Sequence, residues 1–186
     1  MPPLTRNTSE KLRVGLIKPT EEDLLSLKEV LFKMRKTFGG QIEFIYFGKP
    51  YSVWEIEKLF EEYQVETHPT VSFLDYFEKL NSLKLDVVLL PAIESLFNRH
   101  QNRQLFMELS TFGIPVVASS HYPVKKWINN GENGFLASEV PEWLEALETL
   151  VKYDKEKNFS SSLIKNIWNN NSFTKTSIDK ITSLYI

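Results

Sequence analysis

Glu108 is the residue whose setting first suggests binding chemistry. In Gln104-Leu-Phe-Met-Glu-Leu-Ser-Thr-Phe112, the helical repeat places Leu105, Leu109 and Phe112 on a core-facing stripe and Glu108 at its edge. A carboxylate half removed from water needs donors, and two hydroxyls of a ribose would supply hydrogen bonds to its oxygens. The plain alternative is a glutamate that faces solvent. Just upstream, residues 91–103 (Pro-Ala-Ile-Glu-Ser-Leu-Phe-Asn-Arg-His-Gln-Asn-Arg) follow a buried apolar strand and are rich in hydrogen-bonding groups. Long polar loops on a rigid scaffold are where binding residues concentrate.

Such a loop makes a site only if the elements around it place it at the carboxyl end of a sheet. The chain has that rhythm. An apolar run over 12–17 is stopped by Pro19, and Thr20-Glu-Glu-Asp23 reads as an N-cap with acids in a first helical turn. A helix over 20–38 follows, with Leu24, Leu27, Leu31 and Met34 on one face, and Gly39-Gly40 ends it. The pattern continues with a strand over 42–47, a helix over 53–63, a strand over 65–68 and a helix over 74–83. Next come the apolar strand 87–90, a helix over about 99–112, a strand over 116–118, a short helix over 124–129 and a strand over 134–137. From Pro141 the periodicity is helical only, carried by Trp143, Leu144, Leu147 and Val151, then by Leu163, Ile167 and Trp168. Strands alternating with helices give a parallel sheet covered on both faces. Six strands predict a doubly wound α/β fold of order 3-2-1-4-5-6, closed by C-terminal helices. The ligand crevice of such a sheet lies where the strand order reverses, beyond strands one and four.

Composition excludes several classes of function. With 186 residues the chain holds one well-buried core, expected as a flexible lead-in over 1–11 and a single domain over 12–186. Its 22 basic and 24 acidic residues nearly cancel and form no long block, so no footprint for nucleic acid is present. The absence of cysteine removes disulfides and thiol chemistry, and His68, His100 and His121 are too scattered for a metal cluster. No run approaches the roughly 18 apolar residues of a membrane span and no signal-peptide pattern opens the chain, so a cytoplasmic protein is expected. The first strand ends in Ile17-Lys18-Pro19, without the acidic pair of a Mg²⁺-dependent receiver domain.

Phe97-Asn98-Arg99, Glu108, Gly113-Ile-Pro-Val-Val-Ala-Ser119 and Asn130-Gly-Glu-Asn-Gly-Phe-Leu136 form an ordered series of motifs at successive strand-helix junctions. Together with His68-Pro-Thr-Val-Ser-Phe-Leu-Asp-Tyr76 they resemble the C-terminal, donor-nucleotide-binding domain of two-domain retaining glycosyltransferases. The match is nearest to the surface-polysaccharide branch of the group 1 family, which has the GT-B fold. The resemblance implies a Rossmann-like domain that binds a nucleotide diphosphate sugar as substrate, with no cofactor and no metal. It assigns the donor ribose to Glu108 and the base to His68, Val71 and Phe73. The family's earlier acid would fall on His100, which leaves Glu94 as the nearest carboxylate for the donor sugar. The branch pattern Phe-Asn-x-x-Lys-Ser aligns Asn98 with its asparagine and Gln101 with its lysine. The charge for the leaving diphosphate then falls to Lys18, Arg99 and Arg103. The first loop, Lys18-Pro-Thr-Glu-Glu-Asp23, carries three acids where such a loop ordinarily binds phosphate.

The resemblance further implies a glycan or lipid-linked acceptor, held by a second, N-terminal domain absent from this chain, and allows peripheral membrane association of the full enzyme. A non-catalytic domain of the same descent, binding a ligand or a partner, is the second reading, prompted by Gln101 and the acidic first loop. Several motifs also have purely structural explanations. Gly113-Ile-Pro serves as a helix stop and strand start, the Asn130–Gly134 motif as a turn, and Lys125 and Lys126 as a solvated face.

Overall fold

The computed structural model describes residues 11–96, 98, 104–120 and 123–155. Six strands, β1 (Leu12–Ile17), β2 (Ile42–Gly48), β3 (Glu66–Pro69), β4 (Val87–Leu90), β5 (Val116–Ser119) and β6 (Phe135–Ala137), form one sheet of order β3-β2-β1-β4-β5-β6. Every neighbouring pair is parallel, as the alternating strand and helix periods require. Strand order reverses between β1 and β4, where Val14, Gly15 and Leu16 face Val87, Val88 and Leu89. The expected doubly wound α/β topology is therefore the observed one.

Helices cover both faces. Along β2, alternate residues point to opposite sides. Phe44 and Tyr46 meet Tyr63 and Phe60 of α3 (Trp54–Tyr63) at ring-centroid distances of 6.3 and 5.1 Å. On that side lie α2 (Lys28–Phe38) and α6 (Val140–Lys155), which pack against each other. On the other side, Phe47 stacks on Tyr76 of α4 (Phe73–Ser82) at 5.7 Å, and Phe77 stacks on Phe112, just beyond α5 (Gln104–Thr111), at 5.9 Å. With helices on both faces, β1 and β2 carry the near-continuous apolar runs that a sheet covered on both faces demands.

Three local expectations are corrected. The helix over 20–38 divides at Leu27 into α1 (Glu21–Ser26) and α2. The Ser26 hydroxyl donates to the Asp23 carbonyl at 2.6 Å, the acceptor that the Leu27 N–H would otherwise take, and Leu27 bonds to Leu24 instead. The face Leu24, Leu27, Leu31, Met34 is fully buried all the same. In α5 the deepest residues are Phe106, Leu109 and Ser110, while Leu105 and Phe112 are only partly buried. Phe112 has left the helix to cover Phe77. Finally, the short helix over 124–129 is a 3₁₀ turn at Pro123–Lys126.

The turn motifs behave as structural parts. Gly113 (φ 66°) closes α5, with the Ile114 N–H reaching back to Leu109. In the β5–β6 connection Gly131 has φ 81°, and the buried Asn133 accepts from the Asn129 N–H at 2.7 Å and donates to the Trp127 carbonyl at 2.9 Å. Trp143 is buried as expected, whereas Trp168 lies outside the described residues. Among the described residues no helix is long and apolar enough to cross a membrane.

Candidate functional site

At the carboxyl ends of β1 and β4, where the strand order reverses, the two following segments are joined by a buried aspartate. Asp23, in the first turn of α1 and 2% exposed, accepts from the Ile93 N–H and the Asn98 side-chain amide, both at 2.8 Å, and from the Thr20 hydroxyl at 2.6 Å. A buried carboxylate is tolerable when its lone pairs are filled in this way. These bonds tie the helix after β1 to the loop after β4. Asn98, itself 3% exposed, also donates to the Ile93 carbonyl at 3.0 Å, so its amide shapes the loop from within. Of the other two first-loop acids, Glu21 accepts from the N–H and hydroxyl of Ser52, and Glu22 is exposed. Two of the three carboxylates are thus engaged by local donors.

Lys18 directly follows β1 with a left-handed backbone (φ 48°), uncommon for a residue with a side chain. Its ammonium lies 3.9 Å from the ring centroid of Tyr76. Among the described residues it has no carboxylate partner. Tyr76 is buried, and its hydroxyl donates to Glu108 Oε2 at 3.0 Å. Burial, followed by the Glu108 charge and hydrogen bond, pushes the Tyr76 hydroxyl well above its ordinary range, so it remains a donor. Glu108 is half-buried, and its Oε1 accepts from Gln104 Nε2 at 2.7 Å. Two residues far apart in sequence, Lys18 and Glu108, therefore touch the same tyrosine, one at its ring and the other at its hydroxyl.

The β3–α4 connection borders the same corner. His68 is held between Lys79 Nζ, 3.0 Å from Nδ1, and Glu66 Oε1, 2.6 Å from Nε2. An ammonium only donates, so Nδ1 is the acceptor and Nε2–H faces Glu66. Partial burial works to raise the Glu66 carboxyl, but the hydrogen bonds of His68 and Arg13 outweigh it and hold Glu66 below the usual range. Val71, Phe73 and Leu74 are exposed at 38, 76 and 88%, and Phe73 leads through Phe77 to Tyr76 in an edge-on aromatic series. This gives the crevice an apolar wall beside its charged groups.

The fold brings Lys18, Glu108, Val71, Phe73 and His68 to one corner of the sheet. Asn98 sits under the β4 loop, and Glu94 is exposed in that loop next to Ile93. Arg99, Gln101 and Arg103, with His100, lie outside the described residues. Among the described residues no group of three or more His, Asp or Glu side chains is placed to hold a metal. Sequence reasoning missed Tyr76, Gln104 and Asp23. Tyr76 carried one usable signal: a residue with a polar tip on the buried face of a helix needs a hydrogen-bond partner.

Across solved structures this architecture recurs in glycosyltransferases. HepE from Anabaena, in complex with UDP and glucose, superposes with a TM-score of 0.67 at 15% identity, over 95% of this chain and 48% of that one. A TarM variant from S. aureus, in complex with fondaparinux, alpha-GlcNAc-glycerol and UDP, gives 0.68 at 19% identity, over 97% of this chain and 37% of that one. The chain has the fold of one half of a GT-B glycosyltransferase. The catalytic domain of starch synthase IV from Arabidopsis thaliana, bound to ADP and acarbose, is similar to this chain as well, at TM-score 0.64 and 15% identity over 98% of this chain and 40% of that one. The chain spans less than half the length of each of these three proteins. No family model and no curated protein sequence matches it.

Proposed function

We propose that this chain is the nucleotide-sugar-binding half of a retaining glycosyltransferase that moves a hexose from a nucleotide diphosphate sugar to a glycan or lipid-linked acceptor. One observation carries the proposal. At the strand-order reversal, a half-buried carboxylate and a cation without a carboxylate partner among the described residues flank a single buried tyrosine, beside an exposed aromatic wall. A nucleoside diphosphate presents the complementary set of groups, namely a diol, two phosphates and a flat base. Glu108 would accept from the ribose hydroxyls, Lys18 would face the diphosphate, and Phe73 and Val71 would lie against the base, with His68 at the edge. Arg99 and Arg103 would add charge for the leaving group, with Asn98 and Gln101 shaping the loop and Glu94 nearest the sugar. No metal or cofactor is part of this scheme, and protein groups stabilise the departing diphosphate.

Trp54, Val71, Phe73, Leu74 and Leu96 are exposed apolar side chains in the segments that follow β2, β3 and β4. Single exposed apolar residues are ordinary, but a group along one edge suits a covered surface. That supports an acceptor-binding second domain closing over this face, which would complete the cleft and exclude water. Calorimetric titration with UDP, GDP and ADP and their sugars tests the donor site. Binding of one of them at micromolar to millimolar concentration is expected, and no heat from any would end the proposal.

A second reading, a non-catalytic domain of the same descent, is favoured by Gln101 and His100 standing in the lysine and acid positions of the branch pattern. The two are separated by mixing the chain with an acceptor domain and a labelled donor. Transfer supports the enzyme, and donor binding without transfer supports the binding module.

A further inference from the structure

We propose that Tyr76 is a positioning residue: its hydroxyl sets the Glu108 carboxylate to receive a cis-diol, and its ring props the Lys18 ammonium on the phosphate side of the same ligand. The inference rests on the nucleotide-binding reading above and adds to it the group that fixes the site's geometry. A carboxylate offers about four acceptor positions, two on each oxygen. Tyr76 takes one on Oε2 and Gln104 takes one on Oε1, which among the described residues leaves one on each oxygen. That is the arrangement a vicinal diol requires, one hydroxyl to each oxygen.

The tyrosine can impose this arrangement because its ring is closely packed. Its ring is stacked on Phe47 at 5.7 Å with 21° between planes, meets Phe77 edge-on at 5.3 Å, and is only 6% exposed. Lys18 approaches the same ring to 3.9 Å, a cation–π distance, and its left-handed backbone turns the chain at the end of β1. One aromatic side chain thus holds the two polar groups that a nucleoside diphosphate needs, at a fixed separation. A site with buried polar groups aimed at a hydroxyl discriminates strongly against the analogue that lacks it. The site should therefore prefer a ribonucleotide over its 2′-deoxy counterpart, and Tyr76 should set the size of that preference.

The test compares the tightest-binding of UDP, GDP and ADP with its 2′-deoxy analogue by calorimetry, in wild type, Tyr76→Phe, Glu108→Gln and the double variant, with melting temperature as the check on folding. Wild type is expected to favour the ribonucleotide by about tenfold or more, the size of one hydrogen bond to a charged group. Tyr76→Phe should bring that ratio most of the way to one while leaving affinity for the deoxy analogue nearly unchanged. In the Glu108→Gln background it should have no further effect on the ratio, because the hydroxyl acts through the carboxylate. Tyr76→Leu, which also removes the ring, should in addition weaken the diphosphate relative to the monophosphate.

A merely structural tyrosine would lower both affinities together and leave the ratio intact, and that result overturns the inference while the nucleotide reading stands. Equal binding of both sugars by wild type overturns it too. If wild type binds none of the three diphosphates, the reading and the inference fall together.

Discussion

Asp23 shows how misleading a single acidic residue can be when its burial is unknown. In the sequence it is the third of three acids in a loop that ought to receive phosphate, and it reads as a charge against binding. In the fold it is an internal fastening whose acceptors are filled by Thr20, Ile93 and Asn98, so its charge faces the protein and its role is to shape the β4 loop. Asp23→Ala takes the acceptor from three donors, the Thr20 hydroxyl, the Ile93 N–H and the buried Asn98 amide, and should lower stability by about 2–3 kcal/mol. The urea midpoint would report this, with Asp23→Asn less affected because it keeps one acceptor oxygen. Tyr76 carries a prediction about pH. Its folded pKa lies above the unfolded value, so the stability it contributes is complete below about pH 10 and is lost as pH rises above it. Wild type should therefore lose stability more steeply than Tyr76→Phe between about pH 9.5 and 11, and parallel denaturation curves at those pH values would contradict the assignment.

At the scale of elements, the site depends on how closely α4 and β4 approach the central strand. Gly15 in the middle of β1 has no side chain because the space is taken: a Cβ there would meet Leu85 Cδ1 at 2.7 Å and Val88 Cγ2 at 2.9 Å. Gly15→Ala should cost about 1–3 kcal/mol through overpacking, measured by chemical denaturation. A cost below a few tenths would mean that Leu85 repacks freely. The break between α1 and α2 belongs to the same scale. A hydroxyl competing for one carbonyl divides a helix without moving its buried face, so hydrophobic period alone does not reveal the division.

For the whole molecule, a ligand that binds only the folded chain raises its stability by mass action. At one hundred times its dissociation constant a nucleotide diphosphate should lift the melting temperature by about 5–10 °C. Thermal shift in the presence of each nucleotide would check this, and absence of any shift would contradict a formed donor site. On the proposed function, turnover would need an acceptor-binding second domain, so this chain by itself is expected to bind donor without transferring sugar. Strand order and the alternation of strands with helices were legible in the sequence, because a sheet covered on both faces needs continuous apolar strands and its connections follow one hand. Glu108 was legible too, as a carboxylate at the edge of an apolar stripe. What only the tertiary structure decided is which groups meet there. Lys18, Tyr76 and Glu108 come from the turn after β1, from α4 and from α5, and Asp23 and Asn98 are 75 residues apart. Local period fixes where a side chain stands on its own element, whereas its partners are set by how elements distant in sequence pack together.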